Sequence, residues 1–218
     1  MTKPTTLLIA VALGLGTGGP GHADAKLASD AAGARDEYRV DAARSRLIVE
    51  TETSPLSTAF AHDHKLELKD YRGRATVVQG ALTASSMELV AKTASLHVID
   101  EPNVGEREAV EAAVRDDVLE AARFPEISFK SAKVTSSRRG DGTYDVRIVG
   151  DLSLHGVTRR ITVPARVSVD GDAVRAIGAF EIRQTDFAIT PFSFVKGAVV
   201  IKDGLAISFD VVANRTRR

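Results

Sequence analysis

Apolar and polar residues alternate from Thr143 to Ala213, and this period of two constrains the fold more than any other feature of the chain. Over 143–154, Tyr144, Val146, Ile148, Leu152 and Leu154 share one face, and Asp145, Arg147, Asp151 and Ser153 take the other. Ile161, Val163, Ala165, Val167 and Val169 repeat the pattern over 159–169. Val174, Ala176, Phe180 and Ile182 do so over 173–184, and Leu205, Ile207, Phe209 and Val211 over 205–213. Successive side chains of an extended strand point to opposite faces, so each run reads as a strand covered on one side only. Asp141-Gly142, Asp170-Gly171 and Asp203-Gly204 stand between runs, where they supply the positive φ of a tight hairpin turn. Strands joined so closely pair antiparallel.

The same alternation begins at Tyr38, which predicts about eight strands in one all-β domain over 38–214. Closing the sheet on itself removes its exposed edges, and an eight-stranded up-and-down barrel is just wide enough to be filled by side chains or to hold one slender ligand. A flattened two-sheet sandwich satisfies the same alternation. One segment departs from it: residues 106–122 lack Gly and Pro and place Val110, Val114, Val118 and Ala121 at helical spacing. Phe124-Pro125 ends that helix, because the residue before proline is pushed out of helical geometry. The helix is expected to lie over the side or end of the barrel, a plain cover being preferred to a lid on a cavity.

The N-terminal 25 residues read differently. Lys3, the apolar stretch Leu7–Leu15, the glycines from Gly16 to Gly21 and Ala23-Asp24-Ala25 match a signal peptide with a small-x-small cleavage site. The apolar stretch is far short of the ~20 residues that span a bilayer. The expected address is the periplasm. Residues 26–37 are small and charged and read as a flexible leader, and 215–218 as a basic tail able to make transient contact with a membrane surface. Composition removes several chemistries. With no cysteine there is no disulfide framework or thiolate site, and 29 Lys+Arg against 29 Asp+Glu leave no surplus for phosphate neutralisation, so no nucleic-acid partner is expected.

His62-Asp63-His64 is the constellation that invites a ligand or metal reading. Alternation puts His62, His64, Leu66 and Leu68 on one face. Two imidazoles two apart could chelate Zn or Cu, but such a site needs three or four ligands, and sequence brings neither His97 nor His155 to the pair. The preferred reading is a histidine pair lining a pocket; a metal-binding or redox-associated protein is the alternative. No Gly-x-Ser-x-Gly elbow and no glycine-rich phosphate loop occur, and Glu181 and Asp186 are better explained by ion pairing with Arg175 or Arg183. An enzyme is not expected, nor a cofactor.

Four segments together resemble the YceI-like family of periplasmic lipid- and polyisoprenoid-binding proteins. They are Tyr38-Arg-Val-Asp41 with Ser45 and Leu47, Phe124-Pro-Glu-Ile-Ser-Phe-Lys-Ser131, Leu152-Ser-Leu-His-Gly-Val-Thr-Arg-Arg160, and Asp186-Phe-Ala-Ile189. Their order along the chain is that of the family, although Ala188 stands where glycine is commoner. The resemblance implies a lipocalin-like antiparallel barrel around an apolar tunnel that holds an isoprenoid or other amphipathic lipid, in a monomer or homodimer without catalytic residues. On the apolar strand faces, the candidates for lining such a tunnel are Leu66, Leu68, Phe129, Ile148, Leu152, Phe180, Ile182, Phe187 and Phe209, with His62 and His64 at the headgroup end.

Overall fold

A computed structural model describes residues 34–54, 63–140, 142–194 and 199–216. The alternation resolves into twelve strands and one α-helix among these residues: β1 Arg35–Val40, β2 Arg46–Thr53, β3 Lys65–Leu68, β4 Tyr71–Val78, β5 Ser86–Lys92, β6 Leu96–Val98, α1 Val104–Ala112, β7 Glu126–Gly140, β8 Thr143–Leu154, β9 Val157–Asp170, β10 Ala173–Arg183, β11 Ser193–Phe194 and β12 Val199–Arg215. The described strand pairs are all antiparallel.

Eight strands close a ring in the order β1-β4-β5-β7-β8-β9-β10-β12, with β12 returning to β1. This is the closed barrel rather than the flattened sandwich. It is not a simple up-and-down barrel, because its walls fork. The C-terminal end of β12 pairs with β1 (Val40 opposite Ala213), whereas Leu205–Asp210 pairs with β2 (Phe209 opposite Leu47). The break between β1 and β2 is a 3-10 turn, Ala42–Arg44. Ser45 holds it, donating through Oγ to the Asp41 carbonyl at 2.7 Å and accepting the Val212 N–H at 2.9 Å. Beyond the fork the sheet continues as β2-β3-β6. Glu111 of α1 covers β6, its carboxylate accepting the Val98 N–H at 2.9 Å, so a backbone donor is satisfied without a further strand.

Several sequence expectations need correction. Asp203-Gly204 is not a hairpin turn: β12 runs straight through it, with the register shifting between Ile201 and Leu205. A bulge uses the same glycine-rich chemistry as a turn, so local sequence does not separate the two. β1 starts at Arg35, inside the stretch read as a leader. Arg215 is no loose tail: it pairs with Tyr38, its guanidinium lies 3.0 Å from the Asp36 carboxylate, and it stacks over the Tyr38 ring. The segment read as a signal peptide, the stretch read as a leader up to residue 33, His62, Asp141 and the last two arginines lie outside the described residues.

The outer face carries the polar residues of the alternation as ion pairs, among them bidentate Arg160–Asp151 and Arg175–Asp210, with Arg183 clasping Asp186. Hydrogen bonds from these arginines hold Asp151 and Asp210 below the usual carboxylate range. On the inner face, Val77, Val134, Val146, Val163, Val167 and Val174 cluster with the fully buried Tyr38. These valines also line the open space between the facing walls of the barrel.

Candidate ligand-binding cavity

The space between those walls is a cavity of about 790 Å³. Its wall is the inner face of the strands: Leu47, Val49, Leu66, Leu68, Leu89, Ile127, Phe129, Ile148, Leu152, Leu154, Phe180, Ile182, Leu205, Ile207 and Phe209 all contribute. A space this large with so uniformly apolar a wall has the form of a binding cavity rather than of a packing defect. The volume falls within the 300–1,000 Å³ usual for small-molecule sites.

Two glycines help to keep it open. A Cβ at Gly150 would lie 2.4 Å from the Phe129 ring, and one at Gly178 would lie 2.5 Å from the Phe209 ring. The tip of each ring thus rests over a stretch of wall that carries no side chain. Large side chains and an open interior coexist for that reason.

The helical segment closes one side. Asn103 caps α1, its side chain accepting the N–H groups of Gly105 and Glu106. The helix passes at Ala113–Val118 into a π-turn, and Glu120 then takes a positive φ of 44° that ends it. Val110, Val114 and Val118, with Ala109 and Ala113, line the cavity. The segment is thus the wall of a cavity rather than the plain cover expected, and it begins two residues earlier than its sequence pattern, at Val104. Val110, Val114 and Val118 carried the signal, but helical spacing does not distinguish a face packed on a core from one facing a hollow. The far end is held to the β8–β9 turn, where His155 Nε2 lies 3.7 Å from Glu120 and the imidazole packs at a tilt against Phe124, ring centroids 4.4 Å apart.

Of the sequence candidates, Leu66, Leu68, Phe129, Ile148, Leu152, Phe180, Ile182 and Phe209 lie on the cavity wall, and His64 joins them. Phe187 does not. It is 1% exposed and packs with Leu152, Leu154 and Ile189 in a separate cluster. The reason is local: Gln184–Phe187 form a 3-10 turn closed by Ala188 at φ 56°, so strand alternation no longer governs which way Phe187 faces. His64 is fixed by its backbone, its N–H donating to Thr51 Oγ1 at 3.1 Å and its carbonyl accepting the Thr51 N–H at 2.9 Å. Its Nδ1 lies 3.6 Å from the Asp100 carboxylate. Among the described residues no three His, Cys, Asp or Glu side chains are grouped to hold a metal ion.

Sequence reasoning missed the polar residues at this end. Glu101 and Glu106 line the cavity beside His64 and Thr51. Glu101 is 8% exposed, and its carboxylate accepts the Asn103 N–H at 2.7 Å. Neither glutamate belongs to a recognisable motif; the pairing of β6 with β3 and the cap of α1 bring them here.

Comparison with known proteins agrees with this architecture. The chain is 34% identical over 135 residues to a UPF0312 protein of Pseudomonas putida strain W619, and 33% identical over 130 residues to one of Vibrio vulnificus. These matches take in 62% and 59% of this chain and 64% and 61% of the relatives. Among solved structures, BcnA of Burkholderia cenocepacia superposes with a TM-score of 0.62 at 19% identity, over 80% of this chain and 99% of that one. A polyisoprenoid binding domain from Saccharophagus degradans superposes with a TM-score of 0.57 at 13% identity, over 82% and 98%. The model of the YceI-like domain matches residues 38–213, the span of the barrel from its first strand to its last, and the chain belongs to that family.

Proposed function

We propose that this protein is a periplasmic carrier that holds an isoprenoid or other amphipathic lipid inside its barrel, and that it binds without catalysing a reaction. The observation that carries the reading is the 790 Å³ cavity with its almost wholly apolar wall. Burial of each methylene contributes about 0.8 kcal/mol, so ten of them offer about 8 kcal/mol before the cost of immobilising the ligand. Such a wall has no directional chemistry and suits a chain of repeated hydrocarbon units. The structural likeness to a polyisoprenoid binding domain supports the same class of ligand. The periplasmic address rests on the N-terminal signal-like segment.

Organic extraction of the full chain purified from its native host, followed by mass spectrometry, tests the proposal. A lipid recovered in near-stoichiometric amount and lost on denaturation is the expected result. Protein that carries no lipid, and that also fails to take up an uncharged apolar fluorophore, would overturn it.

A further inference from the structure

The charges of the outer face are unevenly placed. The chain as a whole is neutral, with 29 Lys+Arg against 29 Asp+Glu. On the outside of the β7–β8–β9 wall, however, six exposed cations, Lys130, Lys133, Arg139, Arg147, Arg160 and Arg166, stand against three carboxylates, Asp145, Asp151 and Asp170. They face outward because Val134, Val146, Ile148, Leu152 and Val163, on the other face of the same strands, line the cavity. Arg160 holds Asp151 through two bonds of 2.9 Å, Arg139 and Arg166 share Asp145, and Asp170 stands at the rim beside the β9–β10 turn. Lys130, Lys133 and Arg147 make no ion pair or side-chain hydrogen bond among the described residues. The flanking carboxylates are already taken: Glu88, opposite Lys130, lies 2.7 Å from Arg74, Glu126 lies 3.2 Å from Arg72, and Asp210 is held by Arg175. Glu181 stands toward the far end of β10. The balancing acid is on the helical segment, where residues 104–120 carry six carboxylates against two arginines.

We infer that the outside of the β7–β8–β9 wall is a docking face for a membrane, adsorbing to a bilayer surface that carries anionic phospholipid headgroups. Arg160 and Arg166 are six residues apart on one strand, so the charge extends over about 20 Å, about two Debye lengths at physiological salt. Charge spread so widely suits a surface of many anionic groups better than a single bound anion. One large apolar side chain stands at its edge: Ile177 on β10, directly opposite Arg166, is 45% exposed. An apolar residue beside cations matches a headgroup layer, charged at its surface and apolar just beneath, more closely than it matches an acidic polymer in water. The inference rests on the lipid-binding reading only in the choice of partner, since a carrier of lipid loads and unloads at a membrane. Each Lys or Arg brought near such a surface strengthens adsorption by about fivefold.

The test is co-sedimentation of the full chain with sucrose-loaded vesicles at neutral pH and about 0.05 M salt, where surface charge is weakly screened. One set of vesicles is phosphatidylcholine, the other equal parts phosphatidylcholine and phosphatidylglycerol. The protein is expected to bind the anionic set at least about tenfold more tightly, and the preference to fall to about threefold or less at about 0.5 M salt. Lys130→Gln/Lys133→Gln/Arg147→Gln should lose at least about tenfold of the anionic binding. Arg39→Gln/Arg44→Gln/Arg46→Gln removes the same charge from exposed residues of β1, β2 and the turn between them, and should lose about threefold or less. Residues 1–33 are common to all three proteins, so adsorption through them cancels in the comparison. Lys133→Gln/Arg147→Gln, with a smaller loss in the same direction, serves where the first triple variant fails to fold. No preference for the anionic set overturns the inference, as does a preference that the β7–β8–β9 variants leave intact. Equal losses from the two triple variants overturn it as well, since net charge alone would then account for the binding. So does tighter binding, per negative charge, to short duplex DNA than to the vesicles, which would give the face to a polyanion. Extraction measures the lipid in the cavity separately, so this inference and the lipid-binding reading fail by different results.

Discussion

The tip of the Phe209 ring lies over Gly178, and replacing that glycine with alanine tests how far this contact keeps the ring out of the bore. Gly178 on β10 sits opposite Phe209 on β12. A Cβ there would come within 2.3 Å of the Pro164 carbonyl oxygen, 2.5 Å of Phe209 Cζ and 2.9 Å of Cε1. Contacts below 3.0 Å do not persist, so the ring must swing toward the bore and the β9 backbone must give as well. Overpacking of this kind costs about 1–3 kcal/mol, and the backbone contact puts Gly178→Ala in the upper half of that range. For a chain of this length each kcal/mol shifts the melting temperature by about 2–4 °C, so a fall of about 4–12 °C is expected by calorimetry. Gly140→Ala is the matched control: a Cβ there meets nothing within 4 Å and its φ is ordinary, so it leaves stability unchanged or raises it by a few tenths of a kcal/mol up to about 1 kcal/mol. Because the displaced ring enters the cavity, Gly178→Ala should also weaken uptake of an uncharged apolar fluorophore, and adding Phe209→Leu should restore part of both losses. A Gly178→Ala protein that melts within about 2 °C of the parent, or no differently from Gly140→Ala, would refute the reasoning.

Ala188→Gly should stabilise the fold, since a left-handed alanine at φ 56° carries roughly 1–2 kcal/mol of strain and glycine adds back about 0.4–1 kcal/mol of unfolded-state entropy; a lowered melting temperature would contradict this. Glu111→Ala strips the buried Val98 N–H of its acceptor and should cost about 1–3 kcal/mol, with faster amide hydrogen exchange along α1, whereas Glu111→Gln keeps an acceptor and should be milder. Asp203 accepts the Thr185 N–H at 2.9 Å and the Thr185 hydroxyl at 2.7 Å, and these bonds hold its carboxyl below the usual carboxylate range. Its contribution is therefore present above the unfolded value of ~3.9 and lost as pH falls below it, so Asp203→Asn should flatten the acid limb of a melting-temperature profile and leave neutral pH behaviour to the other groups.

The strands of the second half were legible residue by residue. The runs at 143–154, 159–169 and 205–213 fall within β8, β9 and β12, the run at 173–184 passes the end of β10 by one residue, and their apolar residues face inward, because burying one face of a strand writes a period of two into the sequence. The places where reading failed share a cause. Phe187 sits on a short 3-10 turn, Asp203-Gly204 on a bulge, and Arg215 in a ladder with a strand more than 170 residues away in the chain, and each depends on a partner that local spacing does not reveal.

Alternation, turn chemistry and the four family-like segments were enough to establish an antiparallel barrel with one helical insertion and an apolar inner face. Whether that face meets itself or surrounds empty space was decided only in three dimensions. An inward leucine has the same neighbours in sequence either way, and the outcome hangs on long-range registers such as Phe209 against Gly178. The placement of Glu101 and Glu106 was decided there too: neither belongs to a motif, and only the β3–β6 pairing and the Asn103 cap bring them to the cavity wall, through contacts that local spacing does not encode.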